Sequence, residues 1–197
     1  MPRRELSMSV NTSIVVQYLF GRTHDWMLAF AEKLSDEELA WGPPGGAPTL
    51  GFHLWHSARW ADLLQSRLPQ MTPAMQERLA SRGQIWDVEE VCAAWGIDGV
   101  ALGENATGMG MADEIAAGLK LPAKEELLRY VGRAFDAAKE AAASVDDQQL
   151  DSACTDLYGR PSTLAAVLLG QVTHLSRHLG MMEALRGVHS GRGTATV

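Results

Sequence analysis

Residues 161–187 read PSTLAAVLLGQVTHLSRHLGMMEALRG, and the spacing within this stretch decides the kind of fold the chain can adopt. Leu164, Val167, Gln171, His174, His178, Met181 and Leu185 recur at alternating steps of three and four. That spacing marks one face of an α-helix, so an apolar stripe and two histidines share the inward side. Pro161 and Ser162 suit the start of such a helix, and Gly187 is expected to stop it.

Working outward, three further segments carry the same period. In residues 12–34, Val16, Phe20, Thr23, Met27, Phe30 and Leu34 line one helical face. The tetrapeptide SDEE at 35–38 has the form of a capping box opening a short turn, and the run GPPGGAP after it cannot be helical. A second helix is expected from Thr49, a natural N-cap, to Leu68, with Leu50, Leu54, Ala61, Leu64 and Leu68 inward and Pro69 as its end. The third begins at Pro122 with Glu125 and Glu126 in its first turns, and carries Leu128, Val131, Phe135, Ala138 and Ala142. Alanine is abundant, Val and Ile are few, and no stretch alternates with period two. The expected fold is therefore all-α, a four-helix bundle of two antiparallel helix pairs. SDEEL and PTL around the first pair are echoed by VDDQQL and PSTL around the second, a pattern that ordinary helix-start preferences also produce.

A long crossover, residues 69–121, joins the two pairs. One short helix is expected at 86–95, beside the glycine-rich stretch GVALGENATGMGM. A connection this long within a compact domain more often acts as a cap or lid than as structureless loop. The glycines are not a phosphate loop, because no Lys-Ser or Lys-Thr follows and no strand precedes them. No G-x-S-x-G elbow exists for a nucleophilic serine either. Residues 1–190 are expected to form a single domain, with 191–197 a disordered tail and His189 disordered alongside it.

Composition narrows the function. The 197 residues are 46% hydrophobic and 21% charged, as for one ordinary globular domain. Seventeen Lys+Arg against 24 Asp+Glu give a net charge of -7, the wrong sign for a nucleic-acid partner. The N-terminal residues lead into no apolar leader, and no apolar run is long enough for a bilayer, so a cytoplasmic protein without a membrane partner is expected. Cys92 and Cys154 lie far apart and outside any C-x-x-C pattern. A metal would have to be held by histidine or carboxylate.

His174 and His178 supply that possibility: four apart on a helix, their imidazoles can reach one ion. The competing reading is a pair of core histidines bonded to backbone or water. In TLGFHLWHSARWADLL, either His53 or His56 could face them from the second helix. Three imidazoles from two helices leave coordination positions open, as catalytic sites do, and imidazole suits zinc or nickel.

LGFHLWHSARWADLL and THLSRHLGMMEALRG together resemble the second-helix motif and the closing H-x-x-x-H-x-G motif of the DinB-like (DinB/YfiT-like) family of metalloenzymes. IWDVEEVCAAWGI is similar to a segment common there between the second and third helices. The resemblance, at motif level and in helix layout over most of the chain, implies a four-helix bundle with a three-histidine metal site. The tryptophan-preceded His56, with His174 and His178, falls at the ligand positions. Met181 stands where the family often has Gln. Characterised relatives include transferases and isomerases that use low-molecular-weight thiols.

On this basis His56, His174 and His178 are expected to bind one divalent ion, zinc or nickel, with His53 the alternative to His56 or a partner to a backbone carbonyl. Occupancy is expected to fall as pH drops through about 6. His24 is expected near an apolar face and partly exposed. Trp55, Trp60, Trp86 and Trp95 could floor an apolar pocket or simply pack in the core. Asp62, Arg177 and Glu183 lie within two turns of the ligands, where a solvated helix face is the ordinary outcome. The function expected is a metal-dependent enzyme, a thiol-dependent transferase or isomerase acting on a small molecule. The alternatives are a metal-dependent hydrolase or a non-catalytic metal-binding bundle of stress response. A homodimer is expected, since the apolar content exceeds what four modest helices bury and two-fold assemblies are common.

Overall fold

The computed structural model describes residues 11–97 and 99–192. The expectation of no N-terminal apolar leader falls largely on residues 1–10, and most of the expected disordered tail on 193–197; both lie outside the described residues. In chain order the elements are α1 (Thr12–Ala31), α2 (Asp36–Ala40), α3 (Leu50–Met71), α4 (Pro73–Arg78), α5 (Ile85–Val88), α6 (Val91–Ala94), α7 (Asp113–Gly118), α8 (Lys124–Ala143), α9 (Asp147–Leu150), β1 (Ala153–Thr155), β2 (Pro161–Thr163) and α10 (Leu164–Ser190).

The four long helices α1, α3, α8 and α10 form the core bundle, and their starts follow from local chemistry. Side chains of Asn11, Thr49 and Thr163 accept hydrogen bonds from the first-turn amides of α1, α3 and α10, covering donors that a helix start leaves unpaired. The SDEE capping box opens α2: the Ser35 hydroxyl accepts from the Glu38 amide at 3.1 Å, and the Glu38 carboxylate accepts from the Ser35 amide at 2.8 Å. An analogous box built on Asp146 and Gln149 opens α9.

Cross-helix contacts fix the directions. Gln17 meets Val145 and Asp25 meets Lys139, so α1 and α8 are antiparallel. His53 lies opposite His178 and His56 opposite His174, so α3 and α10 are antiparallel. Phe30 of α1 meets Arg186 of α10, their C-terminal ends together. Sequence-consecutive helices α1 and α3, and likewise α8 and α10, run in opposite directions but sit mainly across the diagonal, each packing against members of the other pair. Consequently α3 and α8 are parallel neighbours, and the chain must travel back along the bundle between them. Residues 72–123 make that return through α4, α5, α6 and α7, which is the physical reason for the long crossover.

The central element is α3, buried at every position from Leu50 to Ser66. A single apolar stripe was too narrow an expectation for it, because α2, α4, α5, α8 and α10 all pack around it. Several local expectations are also corrected. Pro69 does not end α3, which runs to Met71; a proline near the last turn forfeits only one amide, and Thr72 with Pro73 makes the break by opening α4. The helix expected at 86–95 is two single turns separated at Glu90, whose φ is 49°. Residues 153–163, read as loop and helix start, contain a two-stranded antiparallel hairpin pairing Cys154 with Ser162. Gly187 lies inside α10, which ends at Gly191 with φ 66°, so His189 belongs to the last helical turn with its ring 4.7 Å from Trp41.

Met181 is exposed rather than inward. Alternating steps of three and four average 3.5 residues, and a straight helix drifts from that repeat by about 20° per heptad. Over the length of α10 the buried set becomes Leu164, Val167, Leu168, Gln171, Leu175, Leu179 and Met182, with both histidines at its edge. Among the described residues no helix is long and apolar enough to cross a membrane.

Candidate metal centre

Two turns of α3 and two of α10 face each other at the histidines. Ligand atoms from His56, His174 and His178 all lie within 4.8 Å of one another, and these three residues could hold a metal ion. His56 Nε2 is 3.0 Å from His174 Nε2. Two imidazole lone pairs so close repel unless a proton or a cation stands between them. Tetrahedral zinc with nitrogens near 2.0 Å sets neighbouring ligand atoms about 3.3 Å apart, so the spacing suits either.

The remaining ring nitrogens show which tautomers the surroundings favour. His56 Nδ1 lies 2.5 Å from the Thr107 carbonyl oxygen. A carbonyl only accepts, so Nδ1 carries the hydrogen and Nε2 is left bare toward the other histidines, as metal-binding imidazoles are usually prepared. His53 Nδ1 is 3.0 Å from His178 Nδ1; the tautomer that bares His178 Nε2 is the one in which His178 donates and His53 accepts. His174 Nδ1 is buried without a hydrogen-bond partner among the described residues. His53 therefore joins the cluster as the neighbour of His178, outside the group of three that converge.

Burial governs the protonation of this cluster. It pushes His53 and His56 down from 6.5 to about 4, His174 to about 3 and His178 to about 2. For His174 the next causes are His56 and Arg177, and for His178 they are the other three histidines and Arg177. All four rings are neutral at neutral pH, the form a metal needs. Desolvation moves the loss of neutral imidazole, expected near pH 6 from the sequence, to more acidic pH.

The glycine-rich stretch acts here without binding phosphate. Gly108 has φ 88°, and a Cβ on it would lie 3.0 Å from both His56 Nδ1 and the Trp55 ring. The segment can rest on His56 only because residue 108 has no side chain. Thr107 is fully buried beneath it.

Other sequence candidates divide clearly. Trp60 borders the histidines, its ring 5.7 Å from His174 and 5.0 Å from Tyr158 of the hairpin. Trp86 packs against Trp55, Trp95 and Tyr130 as core. Asp62 is not on a solvated face: it is fully buried against Arg59 at 2.9 Å. Arg177 is exposed, and its charge acts on His174 and His178. Glu183 lines a separate groove of ≈ 380 Å³ with Trp26, Phe30 and Leu179. His24 is fully buried on α1 among Phe20 and Phe135, not partly exposed. The sequence reading missed Thr107, whose backbone oxygen carries no signal in residue type, and Arg59, whose charge ordinarily marks a surface position.

The fold has relatives. A crystal structure of a conserved protein from Enterococcus faecalis superposes with a TM-score of 0.72 at 18% sequence identity, covering 93% of this chain and all of that one. No curated protein matches the chain. The model of the DinB superfamily matches residues 19–182, which takes in α1 from Leu19, all of α3 and α8, and α10 as far as Met182, together with His56, His174 and His178, and the chain belongs to that superfamily.

Proposed function

We propose that this chain is a metal-dependent enzyme whose ion, zinc or nickel, is held by His56, His174 and His178. The observation that carries the reading is the convergence of three neutral imidazoles from two antiparallel helices, with Nδ1 of His56 already committed to a carbonyl. The donor set fits: three borderline nitrogen ligands, and no protein carboxylate or thiolate in the same group among the described residues. A bound divalent ion with open positions would stabilise a deprotonated sulfur or oxygen at neutral pH.

The resemblance to thiol-using transferases and isomerases favours a low-molecular-weight thiol as co-substrate and a small electrophile as substrate. This chain's own residues would do the rest. Thr107 and His53 orient the imidazoles. Trp60 and Tyr158 offer an aromatic wall beside His174. Residues 69–121 act as the cap, excluding water over His56.

The test is spectroscopy of the cobalt-substituted chain. A sulfur-to-metal charge-transfer band on adding cysteinyl thiols is the expected result. An unchanged spectrum with several thiol classes, alongside turnover of esters or amides, would replace the thiol reading with metal-dependent hydrolysis. Binding of metal without reaction of either kind would leave a metal-binding bundle.

We further infer one domain over residues 1–190, a cytoplasmic location consistent with the low cysteine content, and a homodimer. The dimer would use the outer face of α1, where Val15, Tyr18, Leu19 and Trp26 are exposed on one side of the helix, continuing to the groove against α10. Burying such a patch against its two-fold copy is the commonest route to an oligomer.

A further inference from the structure

Arg59 stands one turn after His56 on α3 and is wholly buried. A buried guanidinium needs a reason, because an ion pair removed from water contributes little net stability and hydrophobic replacements often do as well. All five of its N–H groups are engaged. Nη1 donates to Asp62 Oδ2 and to the Tyr130 hydroxyl, both at 2.9 Å. Nη2 donates to Gln84 Oε1 at 2.9 Å and to the Asn105 carbonyl at 3.1 Å. Nε donates to the Ala106 carbonyl at 2.9 Å.

Two of those five bonds thus go to consecutive peptide carbonyls, and the next carbonyl along the chain, that of Thr107, accepts from His56 Nδ1. Helix α3 presents the imidazole and, three residues later, the fork that holds the two carbonyls preceding its acceptor. The held backbone is not one the chain would choose. Asn105 and Ala106 both have φ 51°, in the left-handed region that asparagine tolerates and alanine disfavours. Released, such residues relax toward ordinary dihedral angles and turn the following carbonyl away.

The fork is itself immobilised. Asp62 accepts from Arg59, from Tyr130 and Gln65, and from the Ile85 and Trp86 amides at 2.8 and 2.9 Å. The Trp86 ring lies under the guanidinium, 4.6 Å away.

We propose that Arg59 is a positioning residue for the metal centre: it clamps the carbonyls of Asn105 and Ala106 so that the Thr107 oxygen fixes His56 in the Nδ1–H tautomer and leaves Nε2 to bind the ion. The proposal rests on the reading of His56 as a ligand, but its first readout needs no metal.

The experiment labels histidine with ¹⁵N in the full chain and records ring-nitrogen spectra in metal-free and zinc-loaded protein, His56 being assigned through His56→Gln. In the metal-free wild type His56 is expected as a single Nδ1–H tautomer. Arg59→Lys and Arg59→Met are expected to give mixed tautomers for His56 and about 10–100-fold weaker zinc binding. Tyr130→Phe removes a partner of both Arg59 and Asp62 but neither loop contact. It is expected to lower stability while leaving the tautomer unchanged and zinc affinity within about twofold, a split that a merely structural Arg59 would not produce.

A wild type with His56 in the Nε2–H form overturns the proposal, even if the Arg59 variants do not fold. A folded Arg59→Lys protein with wild-type tautomer and wild-type zinc affinity overturns it as well. A wild type that binds neither zinc nor nickel removes the metal reading, while the tautomer comparison still decides the clamp.

Discussion

His24 gives a prediction separable from the metal centre. It sits on α1 with no exposed surface; its Nδ1 is 2.7 Å from the Phe20 carbonyl, and its Nε2 has no hydrogen-bond partner among the described residues. Burial pushes its pKa from 6.5 to about 4; the Phe20 carbonyl partly opposes this, and Lys139 adds to it. As pH falls below 6.5 the unfolded chain takes up a proton that the folded chain refuses until about 4. Through that window the unfolded state holds more protons, so stability falls with falling pH, and below about 4 this group costs nothing further. Between pH 8 and pH 5, a depression from 6.5 to about 4 amounts to a loss of about 2 kcal/mol.

The perturbation is His24→Leu, which suits the flanking Phe20 and Phe135 and removes the orphaned nitrogen. At pH 8 lost packing and the relieved polar atom should nearly offset each other, to within about 1 kcal/mol. At pH 5 the variant should gain about 2 kcal/mol relative to wild type. The assay is urea denaturation followed by tryptophan fluorescence with a chelator present. The four site histidines also resist protonation, but they lie on α3 and α10 in both proteins and cancel in the difference. A wild-type-minus-variant difference that stays the same at pH 8 and pH 5 would refute the reasoning, and with it the claim that His24 is neutral because it is buried.

His56→Ala should weaken zinc binding by at least about tenfold more than His53→Ala in competition titrations, because His56 converges with both histidines of α10 while His53 bonds His178 from outside that group; the reverse order would show that His53 is the ligand. Gly108→Ala places a Cβ against His56, Trp55 and Phe52 at a φ of 88°, so thermal melting should report a loss of about 1–3 kcal/mol. An unchanged melting temperature would mean the segment does not lie on His56. Trp26→Glu should return the protein to a mass near 21.4 kDa from twice that in light scattering. A wild-type mass of 21.4 kDa would dispose of the dimer.

Periodicity within the chain was enough to specify the long helices and one side of the site. The face read in residues 12–34 as Val16, Phe20, Thr23, Met27, Phe30 and Leu34 is buried throughout, although α1 itself ends at Ala31, because a helix with one partnered side advertises that side every three or four residues. The same rule brought His174 and His178 together, four residues being about one turn. The caps at Ser35 and Thr49 were equally legible, since each is a bond between near neighbours.

What the tertiary structure alone decided has long sequence separation or no residue-type signature. The surroundings of α3 bury Arg59, Asp62 and all its other residues from Leu50 to Ser66, whereas a periodicity argument assumes a solvent side. The choice of His56 over His53 as the residue that converges with α10 is a matter of rotation and rise between two helices more than a hundred residues apart in sequence. His56 Nδ1 meets the backbone oxygen of Thr107, which follows the two carbonyls bonded by the Arg59 guanidinium of α3 and is admitted by a missing side chain at Gly108. A peptide carbonyl is the same group at every position, so nothing in the order of residues could single that one out; only folding brings it to the ring.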